Sequence, residues 1–413
     1  MRSRLPLLAI FPVTVLTVVL GAPFLLGDHP VRWESGSALP KIVMDDSADP
    51  ATPADGTDGT GGTPSTPSSS ASPSADALQV AKPWKKGMAQ WGVQLYWEEE
   101  KNKRSDSFIE KQARKHAEYL IGLGANSVAL SFPFYIESAT SNELAAGAKT
   151  PSPERVQRVV KVFKDAGFRT TLRPIMDEGN LSQGNGWRGN IEPASRSAWF
   201  ASYKKLLTPY LEAADETRTN TFVIGTELNS LEGDPGWNTL VDSAEKIFSG
   251  EVSYDANWDN YVSGRINMPV NHLGVDAYFP VKVADTAPVG DLVEGWNDWL
   301  DRKATGPLPN ILIAESGIGA MNGAYHAPGD FYARRTVNQK VQANWYDAVC
   351  QVVQERKMQG VYWWSIHFDD DPNTAPDDKT ASRLDFAGRP LTEKAIKTCF
   401  SSDYAGPGTD TTS

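Results

Sequence analysis

The stretch Thr221-Phe-Val-Ile-Gly-Thr-Glu-Leu-Asn-Ser230 runs through β-prone residues into Gly225, Thr226 and Glu227, and then turns polar. It reads as a short buried strand that delivers one carboxylate to its C-terminal end. A second stretch, Asn310-Ile-Leu-Ile-Ala-Glu-Ser-Gly317, ends an apolar run on Glu315 in the same way. Side chains alternate along a strand, so Glu227 is expected to share a face with Gly225 and Val223, and Glu315 with Ile313 and Ile311. If that face lines a barrel, both acids point to one mouth. Two facing carboxylates at strand ends are what acid–base cleavage of a glycosidic bond requires.

Working outward, strand-like and helix-like patterns alternate. Strands are expected at residues 87–97, 127–135, 168–177, 222–227, 251–257, 272–278, 310–315 and 360–367. Helical spacing fills 108–123, 153–166, 195–214, 237–248, 291–300, 337–355 and 391–400, with only a weak helix after the fifth strand. Eight such units over about 320 residues predict an α/β fold, a (β/α)8 TIM barrel. A doubly wound sheet would carry a Gly-rich phosphate loop after its first strand, and Trp91-Gly-Val-Gln-Leu-Tyr96 is unlike one.

The barrel is expected over 81–400. Arg2 and Arg4 precede an uncharged run from Leu5 to Gly27, read as a signal-anchor in preference to a cleaved signal peptide. Either reading exports the chain, to the cell surface by a single-pass membrane anchor or to the extracellular space. Residues 28–80, rich in Ser, Thr, Pro and Gly, have no apolar period and read as a disordered tether; residues 401–413 read as a short disordered tail. The formal charge of −11 among 413 residues argues against a nucleic-acid partner. A monomer is expected. The two cysteines form no CxxC or Cys/His cluster, so neither metal nor cofactor is expected. Cys350 and Cys399 fall late in the last two helices, neighbours in a barrel, and a disulfide between them is expected in an exported protein.

Chemistry in this fold sits where strands end. Asp177, Trp187, Arg188, Asn257, Asp276, Tyr278, Trp363, Trp364 and Asp369 gather there, and aromatic faces stack on sugar rings. Trp363 and Trp364 lie on opposite faces of their strand, so at most one of them stacks on sugar. Trp91 divides evenly between a sugar subsite and the core. Asp369, Asp370 and Asp371 read as a solvated acidic loop rather than a cation site, and His272, His326 and His367 show no ligand spacing.

The paired glutamates resemble those of the retaining glycoside hydrolases of clan A, and the chain most resembles glycoside hydrolase family 113. The matching pieces are Val223-Ile-Gly-Thr-Glu-Leu228, Gly186-Trp-Arg-Gly-Asn-Ile191, Val252-Ser-Tyr-Asp-Ala-Asn-Trp258, Leu273-Gly-Val-Asp-Ala-Tyr-Phe-Pro280 and Gly360-Val-Tyr-Trp-Trp364. The resemblance implies hydrolysis of β-1,4-mannan, with Glu227 as acid/base and Glu315 as nucleophile. It implies that Tyr278 bonds the nucleophile, that Asp177, Trp187, Arg188 and Asn257 line sugar subsites, and that Trp364 or Trp363 forms a stacking floor. The chain departs from the clan's usual pattern at Thr226, where most members carry Asn. It also has Arg173-Pro-Ile-Met-Asp177 where Lys-Pro-His-x-Asp is expected, and Ser316-Gly-Ile-Gly319 after the nucleophile. The rival readings are a catalytically silent barrel that binds polysaccharide and a scaffold for a wall-associated complex.

Overall fold

The computed structural model describes residues 78–99, 104–182, 186–330, 333–374 and 385–408. The expected signal-anchor, most of the tether and the last residues of the tail lie outside them. No helix among the described residues is long and apolar enough to cross a membrane.

Eight parallel strands close on themselves: β1 (Gln90–Tyr96), β2 (Ser127–Ile136), β3 (Arg169–Met176), β4 (Thr221–Thr226), β5 (Glu251–Asn257), β6 (His272–Asp276), β7 (Ile311–Ser316) and β8 (Gly360–His367). Neighbours in sequence pair in order, and β1 pairs with both β2 and β8, which closes the barrel. A two-residue strand, Leu144–Ala145, adds antiparallel to the end of β2. Outside lie α1 (Asp106–Leu123), α2 (Pro153–Asp165), α3 (Arg196–Glu216), α4 (Gly236–Ile247), α5 (Trp258–Ser263), α6 (Val289–Asp301), α7 (Gln339–Glu355) and α8 (Pro390–Phe400). The (β/α)8 expectation matches this architecture, and the weak helix after the fifth strand is the short α5.

Local chemistry places the boundaries. The Ser105 and Ser195 hydroxyls accept from the Phe108 and Ala198 amides and start α1 and α3. Gly124 ends α1 at φ 86°, a left-handed conformation open to glycine. Pro153 opens α2, where its missing N–H goes unneeded.

The ends of the packed unit differ from the expected 81–400. Val80 is buried and its amide donates to the Ala166 carbonyl. Beyond Phe400, the Tyr404 hydroxyl bonds the Met358 carbonyl, Ala405 accepts from the Ala89 amide, and the Gly408 amide reaches Gly87. The described part of the tail is therefore hydrogen-bonded across the N-terminal face of the barrel. Cys350 of α7 and Cys399 of α8 are disulfide-bonded, with Cα atoms 5.8 Å apart.

Two expected site residues belong to the packing instead. Trp91 points out of β1, stacking on Phe400 at 5.6 Å and meeting Tyr404 edge-on at 6.1 Å, because its neighbours Gln90 and Gln94 take the interior positions. Trp363 points out of β8 and stacks on Tyr346 of α7 at 4.2 Å. Neither ring reaches the mouth.

Candidate active site

Strict alternation does not deliver the two glutamates. On β7 the interior is lined by Leu312 and Ala314, the opposite face from the one expected to carry Glu315. The β7–β8 register slips between Ile313 and Ser316, and the β6–β7 register slips between Val275 and Asp276. That irregularity brings Glu315 around to the mouth. On β4, Val223 lines the interior, but the register to β5 slips before Thr226. A Cβ on Gly225 would come within 2.8 Å of Trp237 on α4, so this position faces the outer layer and only glycine fits. Glu227 then leaves the strand at φ 52°, an uncommon conformation for a side chain of its size. Both acids are aimed by bulged strand ends, devices that re-aim side chains next to active sites.

A buried cation lies beneath them. Arg173, fully buried on β3, donates from Nε to Asp255 at 2.7 Å and from Nη2 to Asp276 at 2.8 Å. Its Nη1 ion-pairs with Glu315 at 2.5 Å. Three strands thus converge on one guanidinium, whose planar fork suits several carboxylates at once. Gly274 makes room, since a Cβ there would sit 2.2 Å from the Asp255 carboxylate. Glu315 also accepts from the Tyr278 hydroxyl at 2.8 Å. Burial pushes the Glu315 carboxyl up, and Arg173 and Tyr278 pull it back toward the charged form. Asp276 is pushed well above the usual carboxylate range by burial, against the pull of Arg173.

Glu227 has a different environment. Its two oxygens accept from Arg188 Nη1 at 2.7 Å and from Asn257 Nδ2 at 2.9 Å. Burial raises its pKa to about 7 even though Arg188 opposes the rise, and the charge of Glu315 adds to it. β3 and β4 pair only at Thr171–Thr221 and Leu172–Phe222. Beyond that splay, Arg188 Nε donates to the Met176 carbonyl at 3.2 Å.

Most of the expected site residues converge here, with three adjustments. Asp276 carries the charge of Arg173 and is fully buried below the mouth, so it makes no open sugar contact. Trp364 faces inward, but its ring is covered, with Tyr96 at 6.0 Å and the Arg173 guanidinium at 5.4 Å, leaving no free stacking face. Trp187 stands half-buried on the rim with its ring folded over Gly189, where a Cβ would collide with it at 2.2 Å. Asp177 lies at the end of β3 with one oxygen accepting from the Gly179 amide and the other buried without a partner among the described residues. Sequence reading left out Arg173, Asp255 and Glu178 as site residues. A signal existed for the first, since an arginine amid Thr-Thr-Leu-Arg-Pro in a buried strand requires buried counter-charges. Among the described residues no group of three or more His, Cys, Asp or Glu is arranged to hold a metal ion.

The family model of glycoside hydrolase family 113 matches residues 95–384. The chain belongs to this family. It is a retaining glycoside hydrolase of clan A. A solved structure described as a complex of a family 113 β-1,4-mannanase is 18% identical with a TM-score of 0.62, covering 76% of this chain and 99% of the other. The family 113 β-mannanase of Alicyclobacillus acidocaldarius, solved with the ligand ManMIm, is 20% identical with a TM-score of 0.61, covering 76% and 97%. At these identities the likeness speaks for the fold. A comparison with curated proteins found no match.

Proposed function

We propose that the protein is an exported enzyme that hydrolyses β-1,4-linked mannan by double displacement, with Glu227 as acid/base and Glu315 as nucleophile. The observation that carries the assignment is the unequal environment of the two carboxyls. Glu315 sits on the buried Arg173 and accepts from Tyr278, both of which favour its charged form. Glu227, held up to about 7 by burial, keeps a proton to give near neutral pH.

In the first step the Glu315 carboxylate attacks the anomeric carbon while Glu227 protonates the departing glycosidic oxygen, so that bond breaks as the glycosyl–enzyme ester forms. In the second, Glu227 takes a proton from water, which displaces Glu315 and restores both groups. The family resemblance supports mannan as substrate, and we assign sugar contacts to the half-buried Trp187 on the rim and to the buried Asp177. The Cys350–Cys399 disulfide fits an oxidising compartment and so supports export.

The test uses the soluble domain beside Glu315→Ala and Glu227→Ala, incubated with β-mannans, glucans, xylans and wall glycans while reducing ends are followed. Cleavage of β-1,4-mannan by wild type alone, with the β-anomer formed first by proton NMR, is the expected result. Binding of a glycan without cleavage by a folded wild type would overturn the enzymatic reading, and cleavage of another polymer would overturn the choice of mannan.

A further inference from the structure

Both oxygens of Glu227 already accept hydrogen bonds, one from Arg188 and one from Asn257. Each oxygen keeps a second lone pair that can take the proton, but a neutral carboxyl holds the Arg188 guanidinium less strongly than the anion does. Protonation of Glu227 therefore leaves the buried guanidinium in need of another negative partner. Glu178 is that partner. It is fully buried, its Oε1 lies 3.3 Å from Arg188 Nε and accepts from the Arg188 amide at 3.1 Å. Its Oε2 and Arg188 Nη2 are both buried with no hydrogen-bond partner among the described residues. Two carboxyls therefore flank one guanidinium, with an unused acceptor on one side and an unused donor at the centre.

We propose that Glu178 is a positioning residue that, through Arg188, governs when Glu227 carries its proton. With Glu178 charged, Arg188 stays neutralised as Glu227 takes up a proton. Without that charge, Arg188 requires Glu227 to be the anion and withholds it from acid catalysis. The inference rests on the acid/base assignment proposed above for Glu227.

The other groups around the pair do not substitute for Glu178. Glu227 is faced by Glu315 from β7 and by Arg173 from β3, with Asp276, Tyr278 and Glu232 further off. Tyr254 of β5 binds the Leu228 amide and is itself held by Glu232. Glu178 is faced by Arg188, Glu227 and Asp177. Burial brings the Glu178 carboxyl up to about 7, with Arg188 opposing the rise and the charge of Glu227 adding to it.

The experiment is the pH profile of kcat/KM for the full chain and Glu178→Gln on β-1,4-mannohexaose. The basic limb should move to lower pH by about one unit, the size expected when one charge is removed at this range inside a protein. The defect should vanish on 2,4-dinitrophenyl β-mannobioside, whose leaving group departs without a proton, and a merely structural role would not make that distinction. Glu178→Asp, which keeps the charge on a shorter arm, should shift the limb less, and it serves in place of Glu178→Gln should the latter not fold. A readout that needs no substrate is the urea midpoint at pH 8 of Glu178→Gln, Glu227→Gln and the double variant. The double should be less stable than the singles predict by addition, because it leaves Arg188 uncompensated. An unmoved limb together with additive midpoints would overturn the proposal. If instead Glu227→Ala itself loses as much activity on the dinitrophenyl substrate as on mannohexaose, the acid/base assignment fails, and the midpoints alone judge the coupling.

Discussion

Replacing Arg173 by Met tests the buried centre of the site most severely. The methionine fills much of the arginine stem but removes the charge that binds Asp255, Asp276 and Glu315 at 2.7, 2.8 and 2.5 Å. Removing one partner of a buried pair costs about 3–5 kcal/mol, because the remaining charge has neither water nor counter-ion. Domains are stable by only about 5–15 kcal/mol, so the variant should fold, marginally. Its deficit should also depend on pH. Burial already raises all three carboxyls, and losing Arg173 raises them further. A carboxyl with a raised folded-state pKa holds its proton where the unfolded chain has released it, so stability falls as pH climbs above about 4. The slope is about 1.4 kcal/mol per pH unit for each carboxyl so held. With one of the three, net, held protonated in the variant where the wild type has it ionised, the deficit should grow by about 4 kcal/mol, from about 1 kcal/mol at pH 5 to about 5 kcal/mol at pH 8. Urea unfolding at both pH values and one ionic strength measures it. A deficit that is equal at the two pH values, or below about 1 kcal/mol at pH 8, would refute the claim that Arg173 neutralises ionised carboxylates.

Tyr278→Phe removes the hydroxyl that bonds Glu315, and a hydrogen bond to a charged group is worth about 1.5–3 kcal/mol. It should lower kcat about 10- to 100-fold and move the acid limb of the pH profile upward, whereas unchanged kcat would remove Tyr278 from the chemistry. Trp91→Ala should cost about 3–5 kcal/mol in a urea titration through lost packing on Phe400 and Tyr404, with kcat/KM unaltered at a temperature where both proteins are folded. Replacing Cys350 and Cys399 together by Ser opens a link across 49 residues and should destabilise by about 4 kcal/mol without altering kinetics. A drop in kcat/KM in either of these last two would mean that the outer packing reaches the mouth.

The sequence by itself determined the number and order of the eight βα units, because hydrophobic period, capping serines, Pro153 and Gly124 act within a few residues of where they stand. It also determined that two acids end the fourth and seventh strands, and that Trp363 and Trp364 oppose one another. What it left to the tertiary structure depends on distances between strands. Alternation placed Glu315 with Ile311 and Ile313, yet Leu312 and Ala314 line the barrel, since a register slip belongs to a pair of strands and leaves no mark in one. Asp276 and Trp364 look like open sugar contacts from strand position alone. Only the meeting of β3, β5, β6 and β7 shows Asp276 paired with Arg173, and only the closed barrel brings Tyr96 of β1 and Arg173 of β3 against Trp364. The proposed role separation of Glu227 and Glu315 likewise rests on burial and on which arginine each one meets. Charge and burial are set by neighbours from distant parts of the chain, and those neighbours are fixed only when the barrel closes.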